Sequence, residues 1–80
     1  MANILIACEE SQAICMAFRK RGYNAFSCDI LKCSGGHPEW HFNQDVLQVI
    51  PNHGGHLESG DEYYLPEGDE WDLMIDHPAC

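Results

Sequence analysis

The 80-residue sequence predicts one α/β domain with a short, mainly parallel sheet. Two observations carry this prediction. Residues 3–8 form a continuously apolar segment of strand length, which is typical of a parallel strand buried on both faces. A helical pattern and a second apolar segment follow within thirty residues, in the strand–helix–strand order of a βαβ unit.

The elements of this first unit have recognisable ends. Residues 3–8 predict the first strand. Ser11 is a favourable N-cap, and apolar residues recur at helical spacing after it, so we expect a helix over residues 11–21. Gly22 suits the position just after that helix. Residues 23–30 predict a second strand that ends beside an acid.

The middle of the chain predicts shorter elements. Residues 32–41 contain two glycines and a proline and predict a loop. Residues 41–44 indicate a third short strand that ends at Asp45. Apolar residues between positions 46 and 50 favour a helical turn, which we expect Pro51 to stop.

The last third combines an acidic segment with a final strand. Residues 52–70 are rich in acids and glycine and predict a long loop, with one short hairpin at Tyr63–Tyr64. Residues 71–76 predict the last strand. We expect a following helix to cover one sheet face in such a fold, so the interpretation is a single truncated domain over residues 1–80. An uncovered sheet face predicts self-association or a protein partner.

The charge balance excludes several classes of protein. Four Lys and Arg residues oppose thirteen Asp and Glu residues, which gives a net charge of −9. A free-standing binder of nucleic acid or of an anionic membrane needs a basic surface, so neither class is expected. The sequence shows no secretory leader and no apolar run of membrane-spanning length. Five cysteines, an odd number, then predict reduced thiols and a cytoplasmic protein.

Acidic side chains follow each predicted strand, which indicates a ligand site. Residues 8–10, Asp29, Asp45 and Asp76 all stand at strand ends. In open α/β sheets, ligands bind beyond the carboxyl ends of the strands, where an acid accepts hydrogen bonds from ribose hydroxyls. The alternative is that these acids cap loops or helix starts. A binding site is the favoured interpretation because all of the predicted strand ends carry an acid.

Metal-ligating residues and aromatic residues have weaker interpretations. Their spacings match no standard zinc signature, so zinc is not expected. The candidate ligands are Cys33, His37 and His41, then His53 and His56, then His77 and Cys80. Aromatic rings suit either base stacking or the core, and core packing is the commoner role. These rings belong to Trp40, Tyr63, Tyr64 and Trp71.

Four segments together resemble a known enzyme family. They are Ile4-Leu5-Ile6-Ala7-Cys8-Glu9, Ser27-Cys28-Asp29-Ile30, Gln44-Asp45-Val46-Leu47 and Trp71-Asp72-Leu73-Met74-Ile75-Asp76-His77-Pro78-Ala79-Cys80. In order and spacing they resemble the N-terminal half of a phage-type S-adenosylmethionine-dependent DNA methyltransferase of the cytosine-C5 kind. The resemblance implies a partial Rossmann-like, class I methyltransferase-like fold of three layers. It also implies S-adenosylmethionine as cofactor, and a host cytoplasm if the chain is phage-encoded.

The resemblance assigns roles to individual residues. The Ala7–Ser11 turn corresponds to the contact with the methionine part of the cofactor, although the family's turn usually carries glycine and this one has none. Asp29 corresponds to the acid that holds the ribose, and Asp45 to the acid near the adenine amino group. Cys80 corresponds to the nucleophile that attacks cytosine C6. The full cofactor set is Ala7, Cys8, Glu9, Ser11, Asp29, Ile30, Asp45, Val46 and Asp76.

Two functions therefore follow from the sequence. The first is the cofactor-binding half of a DNA methyltransferase-like protein, which would need a further half to methylate a flipped base in DNA. The second is a small acidic phage-type inhibitor or DNA mimic that occupies a basic cleft in a partner. Mimicry requires acids spaced along one exposed face, whereas here eight acids fall within residues 58–76 and others stand at strand ends.

Overall fold

A computed structural model describes residues 2–76 and shows a small α/β domain with a parallel four-stranded sheet. The strands and helices, in chain order, are β1 Asn3–Ala7, α1 Ala13–Lys20, β2 Asn24–Cys28, β3 His41–Phe42, α2 Val46–Asn52, β4 Gly54–His56, β5 Glu62–Tyr64 and β6 Leu73–Asp76. A single 3₁₀ turn, Pro38–Trp40, precedes β3.

The four-stranded sheet has the order β3-β2-β1-β6, and every neighbouring pair is parallel. Leu5 of β1 stands between Phe26 of β2 and Met74 of β6. All four carboxyl ends therefore lie along one edge of the sheet. The parallel arrangement predicted from the apolar first strand is confirmed.

Each face of the sheet carries its own hydrophobic cluster. On one face, Leu5 and Phe26 join Val49 of α2 in a fully or nearly fully buried group. On the other face, Ile4 and Ile6 pack with Cys15 of α1. Successive strand residues point to opposite faces, so β1 supplies both clusters. The helices thus form outer layers on either side of the sheet.

Helix α1 is shorter than predicted, and its expected N-cap is wrong. The helix begins at Ala13 after Gln12, which has φ 62° and makes no side-chain capping bond. Ser11 is exposed and precedes this position. The predicted end is confirmed, because Gly22 follows the C-cap with φ 92° and donates its N–H to the carbonyl of Arg19.

Helix α2 continues beyond the point where a stop was predicted. It spans Val46–Asn52 and contains Pro51 in its last turn. Proline has no backbone N–H and therefore costs a helix one hydrogen bond. Only Asn52 follows Pro51 in α2, so little of the helix lies beyond this break. The helix instead ends at His53, which has φ 56° and donates its N–H to the carbonyl of Ile50.

The segment 52–70 is not the continuous loop that its composition predicts. Strands β4 and β5 form an antiparallel hairpin, with Gly55 opposite Tyr63. The proposed hairpin around Tyr63–Tyr64 is therefore confirmed, and the loop prediction is wrong for residues 54–56. Leu65 is buried and donates its N–H to the carbonyl of His53, which fastens the hairpin to the end of α2.

Other expectations have simple outcomes. The expectation of reduced thiols is confirmed for Cys15, Cys28 and Cys33 and is wrong for Cys8, which is disulfide-bonded. In the part of the chain that the structure describes, no helix is long and apolar enough to cross a membrane.

Candidate functional site

The carboxyl edge of the sheet brings three of the predicted acids to one side of the molecule. Asp29 directly follows β2, and Asp45 directly precedes α2. Asp76 ends β6 and pairs in register with Ala7 at the end of β1. This is the edge at which parallel α/β sheets bind ligands.

A cavity of about 230 Å³ opens between the ends of β1 and β2 and the start of α2. Its walls combine two carboxylates with apolar side chains. The lining residues are Cys8, Cys28, Asp29, Ile30, Gln44, Asp45 and Val46.

A second cavity, of about 410 Å³, adjoins the first and shares Cys8 and Val46 with it. Its walls are mainly apolar and come from β1, α2 and β6. The lining residues are Leu5, Ala7, Cys8, Val46, Ile50, Met74, Ile75 and Asp76. Small-molecule sites are typically concave, about 300–1,000 Å³ and apolar with a few placed polar groups, which describes this pair of cavities.

Asp29 has both a structural role and a free oxygen. Its Oδ1 accepts the backbone N–H of Leu31 at 2.9 Å, which holds the turn after β2. The side-chain amide of Asn43 donates to the carbonyl of Ile30 at 2.8 Å and braces the same turn. Within residues 2–76 the second oxygen of Asp29 accepts no hydrogen bond. The turn therefore fixes the carboxylate and leaves one acceptor for a ligand.

Asp45 is arranged in the same way at the start of α2. Its Oδ1 accepts the backbone N–H of Leu47 at 2.9 Å, so the side chain caps the helix. Its carbonyl accepts the N–H of Gln48 at 2.9 Å. Both acids thus have the capping role that was the alternative interpretation. That role positions them at the cavity and does not remove them from it.

The pKa of the buried Cys28 thiol is affected by the charges of these two acids. Burial, together with the negative charges of Asp29 and Asp45, raises its pKa from 9.0 to about 12. The Cys28 thiol donates to the carbonyl of Gln44 at 3.2 Å. This thiol is therefore protonated at neutral pH and suits a wall of the cavity rather than a nucleophile.

Two of the nine predicted cofactor residues do not line either cavity. Glu9 is 2% exposed, and its carboxylate accepts the backbone N–H groups of Ile14 and Cys15 at 2.8 and 2.9 Å. Ser11 is exposed before α1. The other seven predicted residues all line one or both cavities.

The turn between β1 and α1 takes glycine-like backbone conformations without glycine. Cys8 has φ 61° and Gln12 has φ 62°. Two successive N–H groups, of Cys8 and Glu9, donate to the carbonyl of Cys28 at 2.6 and 3.2 Å. A left-handed conformation costs a non-glycine residue of order 1 kcal/mol, so surrounding bonds must hold it.

Gln12 supplies several of those bonds. Its side chain is fully buried and donates to the Ser27 hydroxyl at 3.1 Å and to the carbonyl of His37 at 2.8 Å. The N–H of His37 donates to its Oε1 at 3.0 Å. Gly35 packs so closely that an added Cβ would lie 2.5 Å from the carbonyl oxygen of Ser11. The loop before β3 is thus fixed against the start of α1.

Six lining residues were missed at the level of sequence: Leu5, Cys28, Gln44, Ile50, Met74 and Ile75. Cys28 and Gln44 stand next to predicted acids, in segments that already carried the resemblance, and Met74 lies one position from Ile75 in β6. Cys28 and Gln44 could have been identified because each directly precedes an acid at a strand end. Met74 depends on which face of β6 it occupies, which requires the register with Leu5.

The predicted nucleophile Cys80 lies outside the described residues. His77 does too. Among residues 2–76 no group of three His, Cys, Asp or Glu side chains is placed to hold a metal ion. His41 is fully buried, with its Nδ1 2.8 Å from the Ser27 hydroxyl and its Nε2 2.8 Å from the carbonyl of Leu31.

The aromatic residues mainly pack with one another. Tyr63 stacks on Phe26 with ring centroids 4.6 Å apart, and Trp71 meets Phe26 edge-on at 6.0 Å. Trp40 stacks on His37 at 4.0 Å. None of these three rings lines the cavities at the carboxyl edge. The core interpretation therefore describes Tyr63 and Trp71.

Comparison with models of protein families, with curated proteins and with solved structures finds no match for this chain. The described residues at the carboxyl edge of the sheet provide hydrogen-bond acceptors at fixed positions beside apolar walls. This combination is typical of a binding site.

Proposed function

We propose that the carboxyl edge of the sheet binds S-adenosylmethionine, and that the chain is the cofactor-binding half of a Rossmann-like DNA methyltransferase of the cytosine-C5 kind. The observation that carries the proposal is the convergence of Asp29 and Asp45 on one cavity with the apolar side chains of Ile30 and Val46. S-adenosylmethionine presents ribose hydroxyls and an adenine ring, which need acceptors and apolar walls in close proximity.

Asp29 is the residue proposed to hold the ribose. A carboxylate accepts hydrogen bonds from two neighbouring hydroxyls, and such bonds are stronger than those between neutral groups. Its Oδ1 already accepts the N–H of Leu31 and so holds the turn. The other oxygen and the remaining lone pair of Oδ1 can accept hydrogen bonds from the ribose hydroxyls. The pre-formed turn supports the proposal because a fixed acceptor spends little entropy on binding.

Asp45, Ile30 and Val46 are proposed to surround the adenine. Ile30 is 74% exposed, so its side chain is accessible to a ligand. It lines the same cavity as Val46, and an adenine ring between them would cover apolar surface on both sides. The remaining oxygen of Asp45 would accept a hydrogen bond from the adenine amino group.

The adjoining cavity is proposed to hold the methionine part of the cofactor. Ala7, Cys8 and Asp76 lie at its polar end. The carboxylate of Glu9, which would otherwise repel the carboxylate of the cofactor, is bonded to the N-terminal N–H groups of α1. The helix N-terminus offsets the charge of Glu9, so this carboxylate does not oppose binding.

The proposal concerns cofactor binding, and the chemical step remains a prediction. When bound, S-adenosylmethionine supplies the methyl group. The proposed nucleophile, Cys80, lies outside the described residues, so its role depends on the sequence resemblance alone. DNA is proposed as a partner only together with a further half that supplies basic contacts.

Variants with matched controls test the proposal. Asp29→Asn keeps an oxygen for Leu31 and removes the charge, so we expect S-adenosylmethionine and S-adenosylhomocysteine to bind at least tenfold more weakly in titration calorimetry. The control is Asp61→Asn, an exposed acid of the hairpin, which should bind like the unaltered protein. Equal affinity in both variants would remove the proposed ribose contact.

The acidic inhibitor or DNA mimic is the second candidate function. The observation that favours it is a run of exposed acids after the hairpin begins, at Asp61, Glu62, Glu67, Asp69 and Glu70. A mimic would bind a basic protein with strong salt dependence and would ignore the cofactor. Saturable binding of S-adenosylmethionine that Asp29→Asn abolishes would favour the first function over this one.

A further inference from the structure

Strand β6 forms an apolar edge of the four-stranded sheet. Within residues 2–76 it pairs with β1 alone, so its other side offers free backbone donors and acceptors. Leu73 is 44% exposed and Met74 is 51% exposed. Natural proteins usually cover or charge an exposed apolar edge strand.

An apolar groove runs beside this edge, between β6 and α2. The cavity described above forms its upper half, where Leu5, Val46 and Met74 provide the floor and walls. A smaller cavity of about 180 Å³ continues it and shares Ile50 and Met74. The additional residues of that lower half are His53, Glu70 and Trp71. Met74 thus stands at the middle of one continuous groove.

The charges at the groove decide the kind of occupant. Asp76 stands at its upper end and Glu70 at its lower end. Residues 70 to 76 cover roughly 20 Å of extended chain, which about 13 residues of helix would span. A second copy of this chain carries a net charge of −9 and would bring like charges together. A helix with basic residues near both ends is complementary.

We propose that the groove between β6 and α2 is the docking site of a partner polypeptide that presents a basic amphipathic helix. The apolar face of this helix covers Met74, Ile50 and Val46, and its cations lie near Asp76 and Glu70. The inference depends on the groove and its charges, and it would stand if the chain bound no cofactor. Because the upper half of the groove is also the cavity proposed for the methionine part of the cofactor, the helix and the cofactor would compete for it.

A synthetic 14-residue peptide with Leu at helical spacing and Lys on its flanks tests the proposal by titration calorimetry. We expect saturable one-to-one binding to the unaltered protein. A peptide of the same composition with its leucines dispersed should bind at least tenfold more weakly, because it has no apolar face. A version with Glu in place of Lys should also lose at least tenfold.

The decisive variant is Met74→Asp, with Leu47→Asp as its control. Both add one negative charge, and Leu47 is 73% exposed on α2 without lining the groove. Simple charge attraction predicts equal or tighter peptide binding to both variants. The groove predicts at least tenfold weaker binding to Met74→Asp and little change for Leu47→Asp, with circular dichroism confirming the fold of each.

Two results would overturn the proposal. Equal binding of the ordered and the dispersed peptide would show that charge alone attracts it. Sedimentation velocity that finds a dimer of the unaltered protein, dissociated by Met74→Asp, would assign the groove to a second copy of this chain instead.

Discussion

The carboxylate of Glu9 lies 2.9 Å from the backbone nitrogen of Cys15 and accepts its N–H. Its other oxygen accepts the N–H of Ile14 at 2.8 Å. Helix α1 therefore receives its N-terminal cap from the turn before it, since the N-cap residue Gln12 provides no such bond. The first acid after β1 therefore stabilises the fold and lines neither cavity of the proposed site.

Replacing Glu9 should destabilise the protein measurably. Glu9→Gln keeps the size of the side chain and loses one acceptor oxygen and the charge that favours the helix N-terminus. We expect a loss of about 1–3 kcal/mol in the free energy of unfolding, measured by urea denaturation. Glu10→Gln is the control, because the Glu10 carboxylate accepts no hydrogen bond within residues 2–76, and it should change stability by less than about 0.5 kcal/mol. Equal losses in the two variants would contradict the capping role.

The hairpin should depend on close backbone contact at Gly54. This residue has φ 151°, and an added Cβ would meet the backbone of Tyr63. Gly54→Ala should therefore lower the free energy of unfolding by at least about 2 kcal/mol, because backbone cannot move aside. Gly60→Ala separates the two causes, since Gly60 has φ 102° but no atom within 4 Å of the added Cβ. If Gly60→Ala lowers the free energy of unfolding as much as Gly54→Ala does, backbone strain explains both losses and the contact with Tyr63 does not.

The hairpin also shows what the sequence could not predict. Its first strand contains Gly54 and Gly55, which offer no apolar alternation, and it pairs with β5 largely through its backbone. Tyr63 was identifiable because aromatic residues favour strands. The buried strands of the main sheet were predictable because an apolar run such as residues 3–8 has few other uses. Their ends were not, because Cys8 leaves the strand through a left-handed backbone conformation that its residue type does not signal.

Ile30 should matter for ligand binding and little for stability. Its side chain is 74% exposed, so Ile30→Ser removes few contacts within the protein. If it forms one wall of the adenine site, the affinity for S-adenosylhomocysteine should fall about tenfold, which corresponds to about 1.4 kcal/mol. Leu31→Ser alters an equally accessible neighbour that lines neither cavity and should bind normally. Weaker binding in Leu31→Ser alone would place the ligand elsewhere.

Stability should fall in alkali because two thiols are buried. Burial raises the pKa of Cys15 from 9.0 to about 11 and that of Cys28 to about 12. The folded protein therefore keeps these protons when the unfolded chain has lost them. Their contribution is complete below pH 9 and is lost as the pH rises towards 11 and 12, by about 1.4 kcal/mol per pH unit for each thiol.

Urea denaturation at pH 8, 9.5 and 10.5 measures this slope. The variant Cys15→Ala/Cys28→Ala should be less stable at pH 8, because it leaves cavities, and should show a shallower decline with pH. An unchanged slope in the variant would assign the alkaline loss to other groups.

The site was more predictable than its supports. Asp29 and Asp45 were identified because both follow strand-like segments, and parallel strands place their ends on one edge. Gln12 was not, because nothing in the sequence indicates that this side chain is fully buried and joins Ser27 to His37. Glu9 was assigned to the cofactor because the sequence shows that it lies in the turn after β1. The sequence does not show that its side chain bonds to the start of α1.

Mapping of the bound cofactor by ¹H–¹⁵N correlation spectra tests the central claim most directly. Titration with S-adenosylhomocysteine should shift the amide signals of Cys8, Ile30, Leu31 and Val46 together and saturably, with one affinity. The amides of Lys20 and Tyr23, at the opposite edge of the sheet, should remain unchanged and serve as the internal control. No shift at millimolar ligand, or shifts centred on Lys20 and Tyr23, would contradict the assignment of the carboxyl edge as a binding site for S-adenosylmethionine.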